Sequence, residues 1–154
     1  MSLAPLIPTG ISILFVLVGW RVVYNNAKKL ASRSETYAIV NRLITLLSDV
    51  QKLSEEFWLK AEYNAIPQNY DLLVLSKIKL ISAKLDTLKG RGIDIHELQR
   101  LVFPLRKACT LNSYNIDKLS EDAKREEVDG ILTSISIFEK QLDSKMTSLY
   151  PPNY

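Results

Sequence analysis

The fold class predicted for this chain is all-α: a single N-terminal transmembrane helix followed by a cytoplasmic antiparallel bundle of about four helices. Three observations predict it. Leu3 to Trp20, LAPLIPTGISILFVLVGW, is a long uncharged apolar run. Beyond it, apolar residues recur at spacings of three and four, which is the period of a helix and not the alternation of a half-buried strand. There is no glycine between Gly19 and Gly90 and no proline between Pro8 and Pro67, so the first helix has no obligatory stop.

The apolar run comes first. A transmembrane helix needs about 20 predominantly apolar residues to cross about 30 Å of hydrocarbon. The run reaches that length, over about 5–24, if Arg21 snorkels and Val22 to Tyr24 are counted. No Lys or Arg precedes it, and the Ala-Lys-Lys-Leu-Ala-Ser stretch beyond it is a poor cleavage site, so a retained anchor is expected over a cleaved signal. A core helix would be amphipathic, whereas Ile11 to Val18 is apolar all round except at Ser12.

Orientation follows from the flanks. Arg21, Lys28, Lys29 and Arg33 all lie on the C-terminal side, and basic residues near a span mark the cytoplasmic face. A membrane localisation is therefore predicted, single-pass, with the N-terminus outside and the larger part cytoplasmic. Trp20, Arg21, Tyr24, Lys28 and Lys29 are the expected interface anchors: the aromatics sit at headgroup level and the lysines reach anionic headgroups. Membrane lipid is thus the first expected partner. Gly10 and Gly19 are too far apart for a GxxxG dimer motif.

At 154 residues, with 24% charged and 47% hydrophobic, the chain has room for one small domain after the anchor. The division expected is 1–24 anchor, 25–150 helical stalk and bundle, and 151–154 exposed tail. A net charge of +3, partly juxtamembrane, does not call for a nucleic-acid partner. The single cysteine, Cys109, excludes an intrachain disulfide and suits a reducing compartment.

In the stalk region two readings stand. Continuous helix to about Tyr63 would extend roughly 80 Å; alternatively, Ser32 and Glu35 have capping-box spacing and mark a break near Ser32. Ile39, Leu43, Leu46, Val50, Leu53 and Phe57 follow at 4-3-4-3-4 spacing, widened by Val40, Ile44 and Leu47. So broad a stripe belongs to a bundle helix meeting two neighbours rather than to a two-stranded coiled coil.

NAIPQN, Asn64 to Asn69, predicts the first reversal, with Asp71 as N-cap of the second helix. Val74, Ile78, Ile81, Leu85 and Leu88 give that helix its core face, and Gly90-Arg91-Gly92 its stop. Lys77, Lys84 and Arg91 on the other side read as a solvated face, because no aromatic residues interleave with them. DIHE, Asp94 to Glu97, opens a third helix through Leu98, Leu101, Val102, Leu105 and Cys109, with a kink or break expected near Phe103 from Pro104. After the polar stretch Thr110 to Asn115, Ile116 and Leu119 begin a short element, and the charged segment SEDAKREEVD precedes the fourth helix. Its face is Val128, Ile131, Ile135, Phe138, Leu142 and Met146, and Pro151 and Pro152 end it.

The residues offer little chemistry. His96 lies in a helical first turn without a partner nucleophile, and one His plus one Cys cannot build a His/Cys zinc site. Gly90-Arg91-Gly92 follows a helix and lacks the Lys and Ser or Thr of a phosphate loop. Glu55-Glu56 and Glu126-Glu127 are adjacent and point to different sides of a helix. Pro151-Pro152-Asn153-Tyr154 matches the PPxY ligands of WW domains, but a double proline is also an ordinary helix stop.

The function expected is a non-catalytic, membrane-anchored interaction or assembly module with no cofactor, no metal, no nucleic acid and no evident small-molecule substrate. It would hold a protein partner, or a second copy, through its helices. Val40, Ile44 and Trp58 are the candidate contacts, on the expectation that they are exposed. The alternative is a membrane-perturbing effector of toxin or defence type, whose span oligomerises under control of the bundle; unchanged membrane potential on expression would remove it.

Overall fold

The computed structural model describes residues 6–60 and 66–151, with side chains from 15–60 and 66–151. Among them are four α-helices and no strand: α1 (Leu6–Leu59), α2 (Pro67–Gly90), α3 (His96–Thr110) and α4 (Glu121–Leu149), with a 3₁₀ helix, Ser113–Lys118, between α3 and α4. The chain forms two compact units, Met1–Ala38 and Ile39–Tyr154. The tail residues beyond Pro151 lie outside the described residues.

In the first unit the chain is helical from Leu6 onward, with no interruption at Ser32. The Ser32 carbonyl accepts a hydrogen bond from Thr36 Oγ1 at 3.0 Å, a local back-bond that keeps the hydroxyl satisfied without ending the helix. Every side chain from Phe15 to Glu35 is exposed. Among the described residues no helix is long and apolar enough to cross a membrane. The part of the expected span before Phe15 lies outside the described side chains.

The second unit is an antiparallel helical bundle, and its cross-links show the direction of each helix. Asp49 and Ser54 of α1 meet Lys77 and Tyr70 of α2, so residue numbers rise along one helix as they fall along the other. Asp94, just ahead of α3, meets Lys145 near the end of α4, while Asn112, just after α3, donates to Glu127 early in α4. The core is drawn from one face of each helix. Leu43, Leu46, Leu47 and Val50 of α1, Val74, Ile81 and Leu85 of α2, Leu105 and Cys109 of α3, and Ile131 and Phe138 of α4 are fully buried. The periodic apolar faces expected for the second and fourth helices are the faces that pack.

Helix ends follow local chemistry. α2 starts earlier than expected, at Pro67, with Ile66 as its N-cap; Asp71 is therefore interior and does not cap. Proline is suited to the first helical position because the N–H it lacks would have no partner there. At the other end, Gly92 N–H donates to the Lys89 carbonyl at 2.9 Å and Ile93 N–H to the Leu88 carbonyl at 3.2 Å. Gly92 has φ +78°, a backbone that L side chains rarely adopt. This is a Schellman closure, sealed by buried Leu88 and Ile93.

Pro104 does not break α3, which runs through it to Thr110. The proline is exposed, and so is Arg100, whose carbonyl loses its partner and can turn to water, while Leu98, Leu105 and Cys109 hold the inner face. The segment expected ahead of the fourth helix is instead its first turns. Ser120 Oγ accepts from Ala123 N–H at 3.2 Å, and Glu121 and Asp122 lie in the first turn, where the helix dipole favours negative charge.

Candidate functional site

The first unit presents the expected interface anchors on an open helix. Trp20, Arg21, Tyr24, Lys28 and Lys29 are all exposed, and so are Phe15 to Val18, Val22 and Val23. Arg21 divides Phe15 to Trp20 from Val22 and Val23, and Lys28 and Lys29 follow both.

In the second unit, two of the three candidate partner contacts are not surface residues. Val40 is 4% exposed and Trp58 2%, whereas Ile44 is 36% exposed. The cause is the width of the α1 stripe. Leu43, Val40 and Leu47 on one side and Phe57 and Trp58 at the end are all covered by the bundle. The expected contact surface on α1 therefore reduces to Ile44.

Trp58 belongs instead to a buried polar and aromatic cluster. Phe57 stacks on Tyr70 with ring centroids 3.9 Å apart and an interplanar angle of 4°, and Trp58 meets Phe57 edge-on at 5.1 Å. Ser54 Oγ donates to the Val50 carbonyl at 2.8 Å and lies 3.1 Å from the Tyr70 hydroxyl. Ser54 donates its one proton to Val50, so the Tyr70 hydroxyl is the donor between them. Trp58 Nε1 and Asp71 Oδ1 have no hydrogen-bond partner among the described residues. The sequence carried one signal of this cluster: Ser54 stands in register between Val50 and Phe57, a polar residue on an apolar face.

The cluster's electrostatics are those of a closed core. Burial is the largest influence on the Cys109 thiol and pushes it up to about 12. Burial likewise raises the Tyr70 hydroxyl well above its usual range. Asp71 is raised too, by burial first, with a hydrogen bond from Ser113 acting against it. Thiol and phenol both stay protonated near neutral pH, so the cluster supplies hydrogen bonds and no nucleophile.

His96 is far more open. Its Nδ1 lies 3.6 Å from Glu97 Oε1 with both side chains exposed, too long for a hydrogen bond. Asp94 Oδ1 accepts from His96 N–H at 3.1 Å, and its Oδ2 pairs with Lys145 at 3.2 Å. The bond from His96 N–H, then Lys145, holds the Asp94 carboxyl below its ordinary range. Between α2 and α3 lies an open cavity of about 350 Å³, bordered by Leu85, Asp86, Gln99, Val102, Phe103 and Arg106. Among the described residues, no group of three or more His, Cys, Asp or Glu could hold a metal ion.

No known protein family, curated protein or solved structure matches the chain. The functional reading therefore rests on these surfaces alone.

Proposed function

We propose that this protein is a single-pass, membrane-anchored interaction or assembly module that works without catalysis and presents its helical bundle at the cytoplasmic face. The observation that carries the proposal is the uncovered apolar helix surface from Phe15 to Trp20, followed by Arg21, the exposed Val22 and Val23, and then Lys28 and Lys29. In water, exposing so many large apolar side chains costs about 25 cal/mol per Å² relative to covering them. A bilayer covers such a surface on all sides of the helix at once. The proposed span begins before Phe15, among residues whose side chains are not described.

The bundle supports the second half of the reading. Its one thiol, Cys109, and the Tyr70 phenol are buried and protonated, its one histidine is exposed without a nucleophile beside it, and its outer helix faces remain open to partners. The anchor and its orientation are tested together on intact cells. After alkaline carbonate extraction the full chain should stay with the membrane pellet, and removal of residues 1–24 should release it. External protease should leave the bundle uncut. Extraction of the full chain into the supernatant would refute the anchor, and digestion of the bundle from outside would refute the orientation.

A further inference from the structure

The outward side of α2 departs from what a solvated helix face should be. Across the helix from the buried Val74, Ile78, Ile81, Leu85 and Leu88, the residues Leu73, Ser76, Leu80, Ala83, Thr87 and Gly90 recur at 3-4-3-4-3 spacing. All six are exposed, Leu73 and Leu80 by nearly half, and none carries charge. That is a second heptad seam on one helix, with Leu73, Leu80 and Thr87 in one row and the small Ser76, Ala83 and Gly90 in the other. At Gly90 even an added Cβ would meet open space.

Its hydroxyls are prepared for burial. Ser76 Oγ donates to the Leu73 carbonyl at 2.7 Å and Thr87 Oγ1 to the Ala83 carbonyl at 2.9 Å. Both donors are satisfied within α2, so covering the seam strands neither of them. The small residues let a second helix come close, whereas a face built to enter lipid favours bulky side chains throughout.

The edges select the partner. Lys77, Lys84 and Arg91 line one edge at seven-residue spacing, and Lys79 and Asp86 the other. Asp86 already receives the Gln99 amide at 3.3 Å, and Lys77 is paired with Asp49 at 2.9 Å. A second copy docking in antiparallel would set the basic edge against itself, and in parallel would offset each Asp86–Arg91 attraction with a Lys79–Lys84 repulsion, whereas acidic edges on a different partner meet Lys79, Lys84 and Arg91 alike. We infer that the outward face of α2 docks an amphipathic helix of another protein, one whose apolar seam is edged by Asp and Glu. This inference rests on the interaction-module part of the proposed function and not on the anchor.

The test uses the full chain in mild detergent and two fluorescent synthetic helical peptides with the same Leu/Ala seam, one edged by Glu and one by Lys. The Glu-edged peptide should bind saturably by anisotropy and the Lys-edged one should not. Leu80→Gln should weaken binding about fivefold, and Lys84→Glu should narrow or invert the preference between the peptides, with helix content unchanged in both variants. Absent or equal binding of the two peptides would overturn the inference. So would self-association in sedimentation that Leu80→Gln abolishes, since a second copy would then be the occupant. Either result, with carbonate extraction still retaining the chain in the pellet, removes this inference and leaves the anchor standing.

Discussion

Residues 15–35 and residues 39–150 use the same apolar side chains to opposite ends. In the first stretch every side chain is exposed, valine, leucine, phenylalanine and tryptophan included. In the second, the same types disappear into a core where Leu43, Leu46, Leu47, Ile81 and Leu85 have no exposure at all. The difference lies in spacing and not in hydrophobicity. Phe15 to Val18 are consecutive and point around the whole helix, so no single neighbour could cover them; Val74, Ile78, Ile81, Leu85 and Leu88 share one face, and one neighbour suffices. An apolar residue packs when its period supplies a face, and seeks another solvent when it does not.

The sharpest way to break that comparison is a pair of truncations. Phe138→Ala, in the bundle core, should destabilise the chain by about 3–5 kcal/mol, while Phe15→Ala should change it by less than about 0.5 kcal/mol. Urea denaturation of the full chain in mild detergent reads both. Equal losses would show that the first stretch is packed like the second.

A smaller effect is expected where backbone conformation, not burial, is tested. Gly92→Ala places a Cβ at φ +78° and should cost about 1–2 kcal/mol, with the loss confined to the end of α2 in amide exchange. Tyr70→Phe removes the hydroxyl 3.1 Å from Ser54 and should cost about 1 kcal/mol. In the native chain Cys109 should resist thiol reagents until the bundle unfolds, because the thiol is buried and protonated. Rapid modification of the folded chain would contradict the closed core.

The smallest effect is electrostatic. The Asp94 carboxyl is held below its ordinary range in the folded state, so its contribution to stability is present above the ordinary carboxyl range near pH 4 and is lost as pH falls through the folded value. Asp94→Asn should flatten the acid limb of the stability profile slightly, and Lys145→Met by less. An unchanged limb would show that these exposed contacts are not held in solution.

How much of this was legible in the sequence depends on how local each cause was. The faces of α2 and α4 and the Gly92 stop depend on residues close to one another in the chain, and they fold as their patterns predict; the short element before α4 forms earlier than expected, over Ser113–Lys118. The misplaced features depend on distant partners. Trp58 and Val40 are buried in the bundle core, which their own local pattern does not show, and Ser54 acquires its role only when Tyr70 arrives. Asp71 has the chemistry of a cap, but Pro67 starts the helix four residues before it, and Pro104 is tolerated because its outer side faces water. The outward seam of α2 has a visible period in the sequence. Which of its two seams faces the core was decided only by packing.

The most direct measurement of the central claim is the depth of Trp20. In vesicles of acyl-brominated phospholipid, the full chain should lose part of its tryptophan fluorescence to quenching, and Trp20→Phe should abolish that loss while leaving the buried Trp58 emission intact. No quenching of the full chain, or the same quenching after Trp20→Phe, would contradict a membrane-lodged N-terminal helix.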